Sequence, residues 1–261
     1  MIALPWPPLA SFFDTFAGAI EFIFVPRQSV GVGGDIGGLG QVGELMATHI
    51  WVSALALALA ILIALPIGVY LGHRGSGELL AVAIGNAGRA IPELALIALM
   101  VAFIGVGVLN LTIALMILGL PPILTNAFVG IRQVDRTAVE AARGMGMTEL
   151  EVIRKVELPL AVPTIMGGIR TGAINIIATA SIAPLAGVVT LGDFIINPNV
   201  YEDEGVVAGA ILVALLALTV ELGLAGIQRL LTPRALRAQT ACSIFGWRLA
   251  ARKPVSHTPA A

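Results

Sequence analysis

The sequence of 261 residues is 57% hydrophobic and 12% charged, with a mean hydropathy of +0.96, whereas a soluble domain is about one quarter charged. Its formal net charge of −1 excludes the basic surplus that a nucleic-acid partner requires. One cysteine, Cys242, excludes an intrachain disulfide, and three scattered histidines (His49, His73 and His257) lack the spacing of metal ligands. Repeated apolar runs of about 20 residues predict an all-α polytopic protein embedded in the lipid bilayer.

Residues 1–47 are predicted to form an N-terminal interfacial or extracytoplasmic segment. Within it, residues 9–25 are apolar but contain Asp14 and Glu21. An interfacial helix is therefore favoured over a sixth membrane span, which stays open as an alternative. The glycine-rich residues 29–43 are typical of an irregular loop and lack the lysine motif of a phosphate-binding loop.

Five longer apolar runs predict transmembrane helices that make up a membrane domain over residues 48–231. Their expected bounds are 48–72, 79–104, 108–130, 162–188 and 205–231. Pro121 and Pro122 fall inside the third run. Because proline removes a backbone donor and clashes with the preceding turn, that helix is expected to kink or break there. Residues 232–261 predict a basic, loosely ordered tail.

Lys and Arg residues are distributed unevenly between the two faces of this five-span arrangement. Most of them fall on the face that carries residues 131–160 and the tail, whereas the opposite face has Arg27 and the acidic loop 189–204. Because cytoplasmic loops carry the excess of positive charge, residues 131–160 and the C-terminus are expected in the cytoplasm. The N-terminus is then expected outside the inner (plasma) membrane.

The strongly charged stretch EAARGMGMTELEVIRKVELP, residues 140–159, interrupts this apolar pattern. It predicts two short helices joined at Gly144 and Gly146, the second with Thr148 as its N-cap. Leu158-Pro159 is expected to end that helix. Its apolar residues need a groove in this protein or in a partner, and a solvated connector remains the alternative.

This stretch resembles the EAA-x3-G-x9-I-x-LP signature of ABC importer permeases, with Val156 in place of the isoleucine. In that family the loop docks into a cleft on a cytoplasmic ATPase subunit. The resemblance implies that the coupling loop spans residues 131–160. It also implies a coupling role for Glu140, Ala141, Ala142, Gly144, Gly146, Leu158 and Pro159.

Further stretches resemble the osmoprotectant-uptake permeases, which import glycine betaine, choline, carnitine or proline betaine. They are 90–96, 105–107, 130–135, 141–147 and 191–195, and the likeness covers roughly residues 48–231. Glu93 departs from the small residue expected after Ile91-Pro92. The resemblance implies a type I-like importer fold with no cofactor on this chain, because ATP and Mg bind to partner ATPase subunits. It also implies a second permease copy (a homodimer or a close paralogue) and an extracytoplasmic solute-binding protein.

Four ionisable residues lie inside the predicted spans, where each costs about 2.5–3.5 kcal/mol. Arg89 and Glu93 stand four positions apart, so they are expected to pair on one helix face. Arg170 and Glu221 lie at similar depths and are expected to form a structural ion pair. These four residues are also the candidates for lining a pathway. No aromatic cage for a quaternary ammonium group is evident, which favours solute selection by the binding protein.

Other functions remain open at this stage. An ABC permease for another small solute, such as an amino acid, fits the same pattern. An ion-coupled secondary transporter would need matching broken helices in two halves of the chain, and Pro121-Pro122 has no counterpart. An intramembrane enzyme is disfavoured because no catalytic motif is present. The chain is therefore interpreted as a transport subunit and not as an enzyme.

Overall fold

The structure is a computed structural model of the chain, and it describes residues 9–29, 31 and 33–233. The described residues fold almost entirely into helices, with one short antiparallel pair of strands. The all-α architecture expected from the composition is therefore confirmed. The tail predicted for residues 232–261 lies outside the described residues from position 234 onward, as do residues 1–8 of the N-terminal segment.

The described chain begins with a helix and a small hairpin. Helix α1 covers Leu9–Phe24, strand β1 covers Pro26–Gln28, and strand β2 covers Asp35–Gly37. The helix favoured for residues 9–25 is thus present. The irregular loop predicted for residues 29–43 is wrong in its second half, because β2 and the first turn of the next helix occupy it.

Aromatic contacts and an ion pair hold this hairpin region against the last long helix. The Phe22 ring lies edge-on to the rings of Phe194 and Tyr201, with centroids 5.3 and 6.4 Å away. Arg27 Nη2 lies 3.2 Å from Glu202 Oε2, where Glu202 has a φ of 59° and interrupts the helical geometry. Such a conformation persists in a non-glycine residue only when its surroundings fix it. The N-terminal segment is therefore packed into the fold.

Four helical stretches of the described chain are long and apolar enough to cross a membrane. They are α2 (Gly38–Arg74), α5 (Val108–Arg132), the stretch from α7 (Glu149–Val152) through α8 (Leu158–Thr179), and α10 (Pro198–Leu231). A 3₁₀ segment (Ala180–Ala186) and the short helix α9 (Gly192–Ile196) join α8 to α10. These helices match four of the five predicted spans.

The second predicted span, residues 79–104, is not one helix. It is divided into α3 (Glu78–Ala90) and α4 (Glu93–Ile104). The division falls at Ile91-Pro92, where both residues have extended backbone angles. Proline disfavours the helical conformation of the residue before it and cannot donate a backbone hydrogen bond. The expectation of one continuous helix over residues 79–104 is therefore corrected to two short helices.

Helix α5 continues through Pro121 and Pro122 without interruption, so the expected break there is wrong. Its residues are mostly buried between neighbouring helices, an environment in which interior prolines are tolerated. Helix α2 lies very close to it: a Cβ on Gly72 would stand 2.9 Å from the carbonyl oxygen of Phe128. Helix α5 is therefore the centre of the bundle, with α2 and α8 on either side.

Candidate functional site

Two short helices connect α5 to α8 and form the charged segment, defined here as residues 135–159. Helix α6 covers Arg136–Gly144, and the Asp135 side chain caps it by accepting from the backbone N–H of Thr137 at 2.9 Å. Gly146 then has a φ of 82°, a left-handed conformation that favours glycine. The chain turns here and enters α7, which gives the predicted pair of helices with a glycine-containing joint.

Helix α7 starts as predicted but does not stop where predicted. Thr148 and Glu151 form a reciprocal capping box, which confirms Thr148 as the N-cap. The expected end at Leu158-Pro159 is wrong, because a π-helical turn over Ile153–Glu157 carries the chain directly into α8. Proline is accepted in the first turn of a helix, where no intrahelical donor is needed. The charged segment and α8 therefore form one continuous helical path.

Apolar side chains of the charged segment divide into an anchored set and an exposed set. Val139, Ala142 and Val152 are buried in the same core as α2, α5 and α8. Met145 and Leu150, in contrast, are 72% and 55% exposed. Ile153 and Val156 of the same helical stretch are partly buried against that core, so the apolar residues divide between the protein interior and the exposed surface. The buried residues anchor the segment to the helical bundle, and the exposed residues place apolar groups on its outer, solvent-accessible side.

Several predicted residues of this segment are accessible. Glu140, Ala141, Gly144 and Gly146 are exposed, whereas Ala142 is buried and Leu158 and Pro159 are half-buried. Arg143 Nη2 donates to Glu149 Oε2 at 2.9 Å, and this contact raises the pKa of the Arg143 guanidinium. Lys155 Nζ pairs with Glu151 Oε1 at 2.8 Å. Exposed pairs of this kind contribute little to stability.

His73, in the last turn of α2, joins this segment in a way that sequence reasoning missed. Its Nδ1 lies 2.7 Å from Glu157 Oε2, and its Nε2 lies 3.0 Å from Glu149 Oε2. The Glu157 side chain is only 1% exposed. The sequence held no signal for this contact beyond an unassigned histidine, because the helical periodicity of the segment does not report on a helix distant in the chain.

Among the predicted intramembrane residues, Arg170 and Glu221 come together. Arg170 Nε donates to Glu221 Oε1 at 2.9 Å, and Arg170 Nη1 donates to Gln228 Oε1 at 2.9 Å. The expectation that Arg89 and Glu93 share one helix face is wrong, because the helix breaks between them. Glu93 accepts a hydrogen bond from Thr179 Oγ1 at 2.8 Å, and its side chain is exposed.

Within the part of the chain that the structure describes, no three His, Cys, Asp or Glu side chains are grouped to hold a metal ion. Long apolar helices around a charged helical pair define a multi-pass membrane protein. A family model described as "Binding-protein-dependent transport system inner membrane component" matches residues 64–237. The chain therefore belongs to this family of transport-system subunits.

Curated relatives agree with this assignment, and a solved structure is similar in fold. The carnitine transport permease protein OpuCB of Listeria monocytogenes is 40% identical over 190 residues, covering 72% of this chain and 87% of the relative. The choline transport system permease protein OpuBB of Bacillus subtilis is 40% identical over 199 residues, covering 75% and 92%. An inward-facing MetNI methionine ABC transporter chain superimposes with a TM-score of 0.65 at 21% identity, covering 75% of this chain and 98% of that chain.

Proposed function

We propose that this chain is the transmembrane permease subunit of an ATP-driven importer for a quaternary ammonium osmoprotectant. The observation that carries the proposal is the charged segment, which is anchored in the helical core and exposes Met145 and Leu150 on its outer side. The family match supports a role in binding-protein-dependent transport. The relatives named for carnitine and choline transport support the solute class.

The charged segment is the docking surface for an ATPase subunit in this proposal. Its exposed residues Glu140, Ala141, Gly144 and Gly146 form the outer contact, while Ala142, Leu158 and Pro159 hold the segment in shape. ATP and Mg bind to the partner, so this chain needs no cofactor and catalyses no reaction. Exposed apolar side chains next to charged ones suit a partner groove, since they gain most when water is removed from them.

The orientation in the membrane follows from the distribution of Lys and Arg, and the partner subunits follow from the family. Residues 131–160 and the C-terminus face the cytoplasm, because Lys and Arg concentrate on that side. A separate solute-binding protein delivers the solute to the opposite face, and a second permease copy, identical or paralogous, completes the pathway. Residues 48–231 form the permease domain. Closure of the ATPase subunits then shifts the bundle between two access states.

The intramembrane polar groups take different roles in this scheme. Arg170 and Glu221 form a structural pair, since Arg170 Nε donates to Glu221 Oε1 between two long helices. Glu93 is the candidate for the solute pathway, because it is exposed at a break between two short helices. Interrupted helices mark solute sites in many transporters. Arg89, near the end of α3 and before that break, is the second pathway candidate.

Co-purification and uptake together test the proposal. The tagged chain is expected to bring down an ATPase subunit and, with a binding protein added, to import radiolabelled choline, carnitine or glycine betaine only when ATP is inside the vesicle. Methionine serves as the competing amino acid. Uptake of the amino acid alone would assign a different solute. Uptake that continues without ATP but stops when an ion gradient is removed would replace the importer with an ion-coupled transporter.

A further inference from the structure

His73 stands at the centre of a polar chain that runs from the outer side of the charged segment into the core. Arg143 on α6 pairs with Glu149 on α7, Glu149 contacts His73 Nε2 at 3.0 Å, and His73 Nδ1 contacts Glu157 at 2.7 Å. From Glu149 inward the side chains become less accessible, from 61% exposed at Glu149 to 9% at His73 and 1% at Glu157. The chain therefore links three helical elements through one imidazole ring.

The inner contact of His73 is a hydrogen bond, in which Nδ1 lies 2.7 Å from Glu157 Oε2. Glu157 Oε1 is buried without a hydrogen-bond partner among the described residues. Because a buried polar group is costly unless it is hydrogen-bonded, the contact with His73 stabilises the Glu157 side chain in this position.

We propose that His73 is a positioning residue that transmits displacement of the charged segment to α2. The segment is continuous along the chain with α5 and α8, but it reaches α2 only through side-chain contacts. Helix α2 packs closely on α5 at Gly72. A displacement of His73 is therefore transmitted to the whole of a rigidly packed helix. This inference rests on the proposed function, in which ATPase docking displaces the segment.

The test measures solute molecules imported per ATP hydrolysed in the complete reconstituted transporter. His73→Leu is expected to lower this ratio roughly tenfold, the loss expected from one charged hydrogen bond, while the ATPase still co-purifies. Glu157→Gln keeps a hydrogen-bonding partner for Nδ1 and is expected to keep most of the wild-type ratio.

Arg74→Leu is the matched control, since Arg74 is the next residue on the same helix and stacks on Tyr70 at 5.1 Å instead of pairing with a carboxylate. It is expected to keep the wild-type ratio. An unchanged ratio in His73→Leu, or a ratio in Glu157→Gln as low as in His73→Leu, would overturn the inference. Loss of the ATPase from His73→Leu would also overturn it, by showing that the ring only shapes the docking surface. Failure of the wild-type chain to bind any ATPase would instead overturn the proposed function.

Discussion

Arg170 on α8 and Glu221 on α10 form a hydrogen-bonded ion pair between two membrane-spanning helices, with Nε to Oε1 at 2.9 Å. The second carboxylate oxygen of Glu221 is buried and has no partner in the described part of the chain. Arg170 reaches further along α10 to Gln228. The guanidinium thus contacts residues two turns apart on α10. Removal of either charge of the ion pair leaves the other charge uncompensated in an apolar setting.

A double-mutant cycle on this pair is expected to show strong coupling. Glu221→Ala alone should destabilise the protein more than the double change with Arg170→Ala, because the single change leaves a cation without its partner. We expect an interaction energy of about 1–3 kcal/mol, measured by denaturation of the purified chain in detergent. Gln228→Leu serves as the control, since it removes a neutral partner of the same arginine. Additive effects of the two alanine changes would contradict the pairing.

Substitutions of Gly146 are expected to weaken ATPase binding. The loss should increase with the backbone strain that the new residue introduces. Its φ of 82° costs a β-branched residue about 1–3 kcal/mol, whereas asparagine tolerates this region. Gly146→Val should therefore lose the co-purifying ATPase, and Gly146→Asn should keep most of it. A Cβ on Gly167 would meet no atom within 4 Å, so Gly167→Ala is the control that should assemble normally. Equal binding by the valine and asparagine variants would exclude strain as the cause.

The exposed apolar residues of the charged segment are expected to contribute to docking and not to folding. Met145→Glu and Leu150→Glu should each weaken ATPase binding about tenfold or more, because truncation of a central apolar contact costs roughly 1–2 kcal/mol or more. The thermal stability of the free chain should stay unchanged, since both side chains are largely exposed. Met145→Leu keeps the apolar surface and should bind normally. The measurement is the affinity of the ATPase subunit for the detergent-solubilised chain.

Glu93→Gln is expected to change which osmoprotectant is imported best. Choline is a cation and glycine betaine carries no net charge, so loss of a carboxylate at the pathway should reduce choline uptake more. A roughly tenfold selective loss corresponds to a charge interaction of modest strength in partly polar surroundings. Uptake of both solutes is compared in the same vesicles, so the betaine rate controls for assembly. Parallel losses for both solutes would place Glu93 outside the pathway.

Features set by neighbouring residues were predictable from the sequence, and features set by distant ones mostly were not. The Thr148 cap depends on Glu151 three positions away, a pattern visible in the chain itself. The depth of Arg170 and Glu221 follows from the rise per residue of two helices. The break before Pro92 was missed because hydropathy alone runs on through residues 79–104. The contact of His73 with Glu157 depends on how α2 meets the charged segment, and no local pattern encodes that approach.

The π-helical turn at Ile153–Glu157 has a consequence for the angular register of the bundle. Such a turn holds one residue more than an α-helical turn of the same path, and one residue corresponds to a rotation of about 100° around a helix axis. The direction in which Leu150 points, relative to the face of α8 that carries Arg170, is therefore set by a single inserted residue. Deletion of one residue from this turn would rotate Leu150 about the helix axis relative to Arg170. The side chains would stay the same, but they would point in a different direction.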